Sequence, residues 1–280
     1  MAKLKENFPK SLPEYLKLVE NLQRKARIAE RQQKAQQSLW FRGVGRVKYQ
    51  LIPSLYRHPT MREKSQLNNL ERELMMRFRQ RSVPYLSKDL SDHLDALFFI
   101  QHYGVPTRLL DWTENSLVGL HFALMSAASR VTRRRRVTYA GPAVVWVLDP
   151  MAWNRTALKH VSYKGGPLTP GDEDLKGYSP SSSATTMAKY PVALHGPHNS
   201  PRIVAQRGVF TIFGANRTPM EALVRKGIFP SQSLSRIIIQ PAHIPKMRDS
   251  LLTQGITESM VFPDLEGLAR ETKRHFGFET

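Results

Sequence analysis

The sequence contains no cysteine among its 280 residues. This absence excludes disulfide bonds, a thiol nucleophile and any zinc or iron–sulfur site built on cysteine. Histidines and carboxylates remain as the only candidate metal ligands. None of the nine histidines stands in a His-x-x-x-His or Glu-x-x-His spacing, so we expect no bound metal.

Long apolar runs and several common enzyme motifs are also missing. No stretch reaches the roughly 18 apolar residues that a membrane-spanning helix needs. The first residues, Met1-Ala2-Lys3-Leu4-Lys5-Glu6, lack the apolar core of a signal peptide, and we expect a cytoplasmic protein. The absence of Gly-x-Ser-x-Gly, of a P-loop and of Gly-x-Gly-x-x-Gly excludes the common esterases, the P-loop NTPases and the Rossmann oxidoreductases.

Positive charge, in contrast, is abundant. Forty-two Lys and Arg residues against 23 Asp and Glu give a net charge of +19. Such a charge attracts polyanions in a salt-dependent way, and nucleic acid is the obvious partner. The densest basic run predicts nucleic-acid-binding residues at Arg133, Arg134, Arg135 and Arg136. The alternative is a solvated basic loop that only keeps the protein in solution.

The length and the 41% hydrophobic content suit one large domain, or one domain with a small appendage. We predict an N-terminal helical extension at residues 1–37 and a main domain at residues 38–280. Helices and strands show no regular alternation, so the expected fold class is α+β, with N-terminal helices followed by a mixed or antiparallel sheet.

Apolar periodicity and turn residues assign the individual elements. We predict helices at about 11–38, 61–81, 91–103, 117–129 and 246–254. We predict strands at 39–44, 143–148 and 236–240, two short strands within 202–213, and an edge or turn at 49–56. Glycine, proline and serine between residues 160 and 200 indicate a long loop, which either closes over a ligand or lies in solvent.

The segment from His102 to Thr113 carries the densest group of polar side chains beside apolar residues. It leads into a helical pattern for which Thr113 and Ser116 are the N-cap candidates. Such a junction offers free backbone N–H groups and a positive helix end, which suit an anionic ligand such as a phosphate. The residues concerned are His102, Tyr103, Thr107, Arg108 and Asp111. Alternatively they cap and pack, with Arg108 and Asp111 forming a local salt bridge.

Arg42 stands in a strand that otherwise has a buried pattern, between Phe41 and Gly43. A buried arginine needs an anionic partner. That partner is either a structural carboxylate of the protein or a bound ligand, whose phosphate or ribose edge the arginine would hold.

Three segments together resemble the FRG domain family, named for its Phe-Arg-Gly motif. They are Trp40-Phe41-Arg42-Gly43, the run from Gln101 to Thr113, and Ala205-Gln206-Arg207-Gly208-Val209-Phe210. The resemblance covers roughly residues 38 to 215, and Val261–Leu268 resembles the ending that these proteins often carry. The family occurs largely in bacteria and phages, and the resemblance implies a role in anti-phage defence or as a toxin.

A more distant resemblance links the chain to ADP-ribosyltransferases of the arginine-serine-glutamate type. Phe41-Arg42-Gly43 is similar to their first motif, Asp111-Trp112-Thr113 with the following helix to their second, and Ile203-Val204-Ala205-Gln206 to the strand that carries their catalytic glutamate. The resemblance implies an ADP-ribosyltransferase-like core with NAD as substrate. Two of the three chemical groups differ here, because Thr113 and Gln206 stand in place of the usual residues.

The resemblance also implies roles for individual residues. Arg42 would hold the NAD phosphates or the adenosine ribose, Thr113 would order the nicotinamide ribose, and Gln206 with Asp111 would share the part of the glutamate. Glu114 is the alternative source of the missing carboxylate. Tyr103 or Trp112 would stack on a base, unless either belongs to the core. The predicted cofactor-binding residues are Arg42, Gly43, His102, Tyr103, Thr107, Arg108 and Trp112.

Two hypotheses from different classes follow. The first is an NAD-dependent ADP-ribosyltransferase-like toxin or anti-phage effector that acts on nucleic acid or a protein target. The second is a non-catalytic module that binds phage DNA or RNA through its arginines and consumes no NAD. A nuclease is a third possibility, but the sequence shows no constellation of carboxylates for a metal.

Overall fold

The computed structural model describes residues 3–30, 38–86, 92–131, 137–159, 163, 165–179 and 188–278. The strands are β1 (Lys5–Asn7), β2 (Trp40–Val44), β3 (Leu109–Thr113), β4 (Ser129–Val131), β5 (Val137–Tyr139), β6 (Ala143–Leu148), β7 (Val192–Leu194), β8 (Gly208–Ile212) and β9 (Leu234–Ile239). The helices are α1 (Leu12–Glu30), α2 (Lys64–Ser82), α3 (His93–His102), α4 (Ser116–Met125), α5 (Pro150–Ala157), α6 (Pro201–Gln206), α7 (Met220–Arg225), α8 (Ile244–Thr253), α9 (Glu258–Val261) and α10 (Leu265–His275).

Seven of these strands form one mixed sheet in the order β1-β9-β6-β2-β3-β8-β7. β1 runs parallel to β9, and the other neighbours are antiparallel. β4 and β5 form a separate two-stranded ribbon. The expected α+β class and mixed sheet are therefore confirmed. The predicted order, N-terminal helices followed by the sheet, differs from the observed one, because strands and helices are interspersed along the described chain.

β6 is the central strand that its apolar sequence predicts. All six of its residues are buried, and it pairs with β2 on one side and with β9 on the other. Successive side chains of a strand point to opposite faces of the sheet. Trp146 accordingly belongs to one apolar cluster and Val145 to another. Both faces of the sheet are covered, which explains the uninterrupted apolar run.

The N-terminal segment packs into the same core as the rest of the chain. β1 extends the sheet next to β9, and Tyr15 of α1 is fully buried. The Tyr15 hydroxyl donates to the Ser116 carbonyl at 2.7 Å, at the start of α4. The described part of α1 ends at Glu30, so the rest of the helix predicted up to residue 38 lies mostly outside the described residues.

β2 and α4 approach each other so closely that glycine is required on both sides. A Cβ on Gly43 would lie 2.0 Å from the Gly119 carbonyl oxygen, and a Cβ on Gly119 would lie 2.8 Å from the Cβ of Phe41. Such distances are far below van der Waals contact. The glycine of the Phe-Arg-Gly motif therefore has a packing role, because it lets the helix rest on the strand backbone.

The N-cap of α4 corrects a prediction. Thr113 and Ser116 were the predicted caps, whereas Asn115 is the cap, with its Oδ1 accepting from the N–H groups of Leu117 at 2.9 Å and Val118 at 3.4 Å. Asparagine is as good a cap as serine or threonine. Thr113 instead ends β3, where its hydroxyl oxygen accepts from the Asn115 N–H at 2.9 Å.

The predicted strand at residues 203–206 is wrong, because these residues form the helix α6. Ser200 caps that helix by accepting from the Ile203 N–H at 3.2 Å, and Pro201 occupies its first turn, a position that suits proline. Arg207 ends the helix in the left-handed conformation, with a φ of 46°. The strand predicted after it is confirmed as β8.

The region predicted as a long loop contains ordered elements. A 3₁₀ turn at Glu173–Tyr178 buries Leu175 and Tyr178, and β7 forms the edge of the large sheet. Residues 160–162, 164 and 180–187 of this region lie outside the described residues. Among the helices of the described chain, none combines the length and the apolar character that crossing a membrane requires.

The contact between β2 and α4 yields a test of stability. We expect Gly43→Ala to lower the free energy of unfolding by about 1–3 kcal/mol or more, because the added methyl has no space and overpacking strains the backbone. Gly141→Ala is the matched control, because nothing lies within 4 Å of its Cβ position. Urea unfolding followed by circular dichroism measures both. Equal midpoints for the two variants would contradict the packing role of Gly43.

Candidate functional site

A cavity of ≈ 700 Å³ opens beside β2, β3 and the C-terminal end of α3. This volume is within the usual range of small-molecule sites. Eight of the ten catalytic and cofactor-binding residues predicted from the sequence line it: Arg42, Gly43, His102, Tyr103, Asp111, Trp112, Thr113 and Gln206. Thr107 and Arg108, the other two, are fully buried and do not contribute to the lining that the structure describes.

The cavity lies where β2 and β3 separate. In the described strands their register is limited to the pair Phe41–Thr113, whereas β3 continues with β8 over five pairs. Arg42 bridges the gap, because its Nη1 donates to the Asp111 carbonyl and lies 3.6 Å from the Asp111 Oδ2. The side chain of Arg42 is 23% exposed and that of Asp111 is 56% exposed. The carboxylate therefore stays accessible to a ligand.

Electrostatics at Arg42 combine burial with charges of both signs. Burial lowers the pKa of its guanidinium, the Asp111 carboxylate opposes this effect, and the positive charge of Arg57 adds to it. The sequence left two partners open for Arg42, a carboxylate of the protein or a bound ligand. In the structure its partner is a carboxylate of the protein, that of Asp111. A second arginine beside it leaves this part of the cavity positive.

A short chain of hydrogen bonds holds the Asp111 carboxylate. The Gln101 Nε2 donates to Asp111 Oδ1 at 3.0 Å and to Oδ2 at 2.9 Å. The Thr107 hydroxyl donates to the Gln101 Oε1 at 2.6 Å, and its oxygen accepts from the Leu109 N–H at 3.0 Å. Because Thr107 fixes the oxygen of the amide, the Gln101 nitrogen must face the carboxylate. Thr107 thus reaches the site indirectly, through Gln101.

Arg108 has a different partner from the one considered in the sequence. It does not pair with Asp111 but with Glu71 of α2, and both side chains are fully buried. The Arg108 Nε donates to Glu71 Oε2 at 2.7 Å and to Oε1 at 3.0 Å, and Nη2 also donates to Oε2. The Arg108 Nη1 donates to the Tyr178 carbonyl at 3.4 Å. This pair anchors the start of β3 rather than facing the cavity.

Thr113 and Gln206 meet at one end of the cavity. The Thr113 hydroxyl donates to the Gln206 carbonyl at 2.6 Å, and the Gln206 Nε2 donates to the Val261 carbonyl at 3.1 Å. Gln206 ends α6, so it is not the strand residue that the sequence predicted. Both side chains are engaged in joining β3, α6 and the C-terminal segment.

The two aromatic candidates differ in exposure. Trp112 is 3% exposed, lies in the apolar core and donates from Nε1 to the Thr211 hydroxyl at 3.1 Å. Tyr103 is 62% exposed and contacts Phe99 with ring centroids 4.9 Å apart. Tyr103 is therefore the ring that is free to contact a ligand, and Trp112 belongs to the core.

His102 lies at the end of α3 beside charges from the C-terminal half of the chain. Burial lowers the pKa of its imidazole, Arg202 adds to this effect, and Asp264 opposes it. A neutral ring is therefore favoured at pH 7. Its Nδ1 lies 3.5 Å from the Ser200 hydroxyl, a long contact that couples α3 to the start of α6.

Several residues of the site were not among the sequence candidates. Gln101 stands directly before His102 in the motif, so the sequence places it next to the site. Its hydrogen bonds could not be predicted from the sequence. The cavity also includes Arg57, Arg202, Asp264 and Glu266, which come from three separate parts of the chain. No local pattern in the sequence connects such distant residues.

The predicted nucleic-acid-binding residues Arg133, Arg134, Arg135 and Arg136 lie outside the described residues. They stand between β4 and β5 in the chain. Within the part of the chain that the structure describes, no three His, Asp or Glu side chains gather in a group that could hold a metal ion.

The fold and the site together define an α+β domain with a cavity, lined by charged side chains, beside a split in its sheet. The family model of the FRG domain matches residues 37–131, which confirms the FRG resemblance over this stretch. No curated protein and no solved structure matches the chain. The match includes Arg42, Gln101 and Asp111 but is shorter than the stretch expected from the sequence, and Gln206 lies outside it.

The buried ion pair permits a stability test. We expect Glu71→Gln to lower the free energy of unfolding by about 3–5 kcal/mol, because it leaves the Arg108 charge buried without a counter-charge. Glu73→Gln, at an exposed position of the same helix, is the matched control with little expected effect. Urea denaturation measures both. If Glu71→Gln unfolds at the same urea concentration as Glu73→Gln, the pair does not anchor β3.

Proposed function

We propose that the cavity binds NAD and that the protein cleaves the nicotinamide–ribose bond and transfers the ADP-ribose, as the ADP-ribosyltransferase resemblance implies. One observation carries this proposal. Asp111 presents an exposed carboxylate that two hydrogen bonds from Gln101 orient, directly beside the Arg42 guanidinium. An oriented carboxylate next to an arginine suits a substrate that carries both phosphates and a reacting ribose.

The reaction needs a negatively charged group close to the reacting carbon. When the bond from ribose C1′ to the nicotinamide nitrogen breaks, its electron pair leaves with neutral nicotinamide, and the ribose develops oxocarbenium character. A fixed carboxylate stabilises that charge without reorganising during the reaction. The acceptor then forms a bond to C1′ and loses its proton. In this proposal Asp111 supplies the charge.

The other predicted catalytic residues have supporting roles in this proposal. Gln206 carries no charge, and its amide is bound to the Val261 carbonyl, so Asp111 takes the larger part of the role that the two were expected to share. Thr113 keeps the end of β3 and α6 together through its bond to Gln206. Arg42 binds the phosphates, and Tyr103 supplies an exposed ring on which a base can stack.

The acceptor follows from charge. A net charge of +19 favours a polyanion, so we propose nucleic acid as the first acceptor to test and a protein target as the second. A toxin or anti-phage effector would use such a transfer to inactivate its target. The same charge favours the competing function, a nucleic-acid-binding module without catalysis, whose binding would weaken steeply with salt and require no NAD.

Replacing the carboxylate tests the reaction. We expect Asp111→Asn to lower the rate of nicotinamide release at least about 100-fold, as losing a transition-state charge partner commonly does, while Arg42→Ala abolishes activity and both variants stay folded. Asp249→Asn, at an exposed position of α8 outside the cavity, is the matched control. Labelled NAD is incubated with each protein, with and without DNA, RNA and cell extract, and both released nicotinamide and transferred label are followed.

The same assay contains the results that would contradict the proposal. Full activity in Arg42→Ala or Asp111→Asn would show that the site is wrongly assigned. No turnover of NAD by the unmodified protein under any condition, together with intact salt-sensitive binding of nucleic acid, would favour the binding module.

The hydrogen-bond chain predicts a smaller effect from a residue that does not line the cavity. We expect Thr107→Val to lower kcat about fivefold with little change in KM, because a lost hydrogen bond of about 1 kcal/mol frees the Gln101 amide. Thr107→Ser keeps the hydroxyl and should restore activity. In a Gln101→Ala background, Thr107→Val should have no further effect, and additive losses would contradict the chain.

A further inference from the structure

Arg57 is the last residue of a 3₁₀ turn, Ser54–Arg57, that the core holds in place. Leu55 of this turn is 1% exposed, and its N–H donates to the Thr107 carbonyl at 3.2 Å. Just before the turn, the Leu51 N–H donates to the Glu221 carboxylate at 3.1 Å. The turn is thus fixed to the segment before β3 and to α7, so Arg57 extends from a rigid base.

Arg57 and Arg42 line the same cavity, together with Ser54. Arg42 has the Asp111 carboxylate as its counter-charge. Arg57, in contrast, is exposed, and among the described residues no carboxylate lies within ion-pair distance of it. The positive charge of Arg57 lowers the pKa of the Arg42 guanidinium. The wall therefore carries two guanidinium groups, and of the two only Arg42 has a carboxylate partner among the described residues.

Two like charges on the wall of a cavity repel each other, and a bound anion removes that repulsion. Arginine is suited to this role because its planar fork can donate two parallel hydrogen bonds to a phosphate. A single phosphate group could occupy one fork. Two guanidinium groups extending from different elements suit a ligand with two adjacent phosphates.

We propose that Arg57 and Arg42 form a clamp for the diphosphate of a nucleoside diphosphate, with the Ser54 hydroxyl as an additional donor on the same wall. The inference rests on the proposed function for the identity of the natural ligand, the diphosphate of NAD, but the clamp itself does not depend on turnover. Arg57 is then the residue that selects diphosphate-containing nucleotides over nucleosides.

Calorimetric titration of the full chain tests the clamp with ADP and, as a ligand without phosphates, adenosine. We expect Arg57→Ala to weaken ADP binding at least about tenfold, which corresponds to the loss of one charge-assisted hydrogen bond. Adenosine binding should be unchanged. Arg57→Lys should give an intermediate affinity, because lysine keeps the charge but not the fork. Arg77→Ala, at an exposed position of α2, is the matched control.

The outcomes separate the clamp from the proposed reaction. Equal ADP affinity in the unmodified protein and in Arg57→Ala overturns the clamp, as does a failure of the unmodified protein to bind ADP, including the case in which it binds only a single-stranded oligonucleotide. Nicotinamide release is measured in parallel. ADP binding that depends on Arg57, without turnover of NAD, supports the clamp and contradicts the reaction. Turnover of NAD that Arg57→Ala leaves unchanged supports the reaction and contradicts the clamp. Thermal unfolding verifies that each variant is folded.

Discussion

The buried ion pair between Arg108 and Glu71 supports most of the site. Removing both charges from water costs several kcal/mol per ion, which bidentate hydrogen bonds can offset only when both partners are held in place. Here the pair joins α2 to the residue before β3, and the Arg108 Nη1 extends the connection to the Tyr178 carbonyl. Thr107, the neighbour of Arg108, starts the hydrogen bonds that reach Asp111. The position of the exposed carboxylate thus depends on a charge pair that is itself buried and outside the cavity lining.

A second constraint is the separation of two neighbouring strands. The backbone of β2 is pressed against α4, which only glycine at positions 43 and 119 allows. β3 is held instead by five register pairs with β8. Because different elements hold the two strands, they diverge after Phe41–Thr113. The opening between them gives Arg42 and Asp111 access to the cavity while the rest of the sheet remains closed.

The sequence predicted elements well where local pattern and burial agree. β6 has an apolar run of strand length, and α2 has apolar residues at helical spacing, so both were found. It failed at residues 203–206, where an apolar and β-branched run suggested a strand, but the cap at Ser200 and the proline after it start a helix. It also misplaced the cap of α4 by favouring Thr113 and Ser116 over Asn115. The secondary structure of such short segments depends on the hydrogen bonds at their ends.

By itself, the sequence determined the fold class, the basic character of the chain and the motif segments that supply most residues lining the cavity, because these depend on composition and on neighbours a few positions apart. Only the tertiary structure decided what each polar residue does. Glu71 and Arg108 are 37 positions apart, and Arg42 meets Asp111 across 69 positions. Such pairings arise from the way the strands and helices pack, since a side chain finds its partner in space and not along the chain.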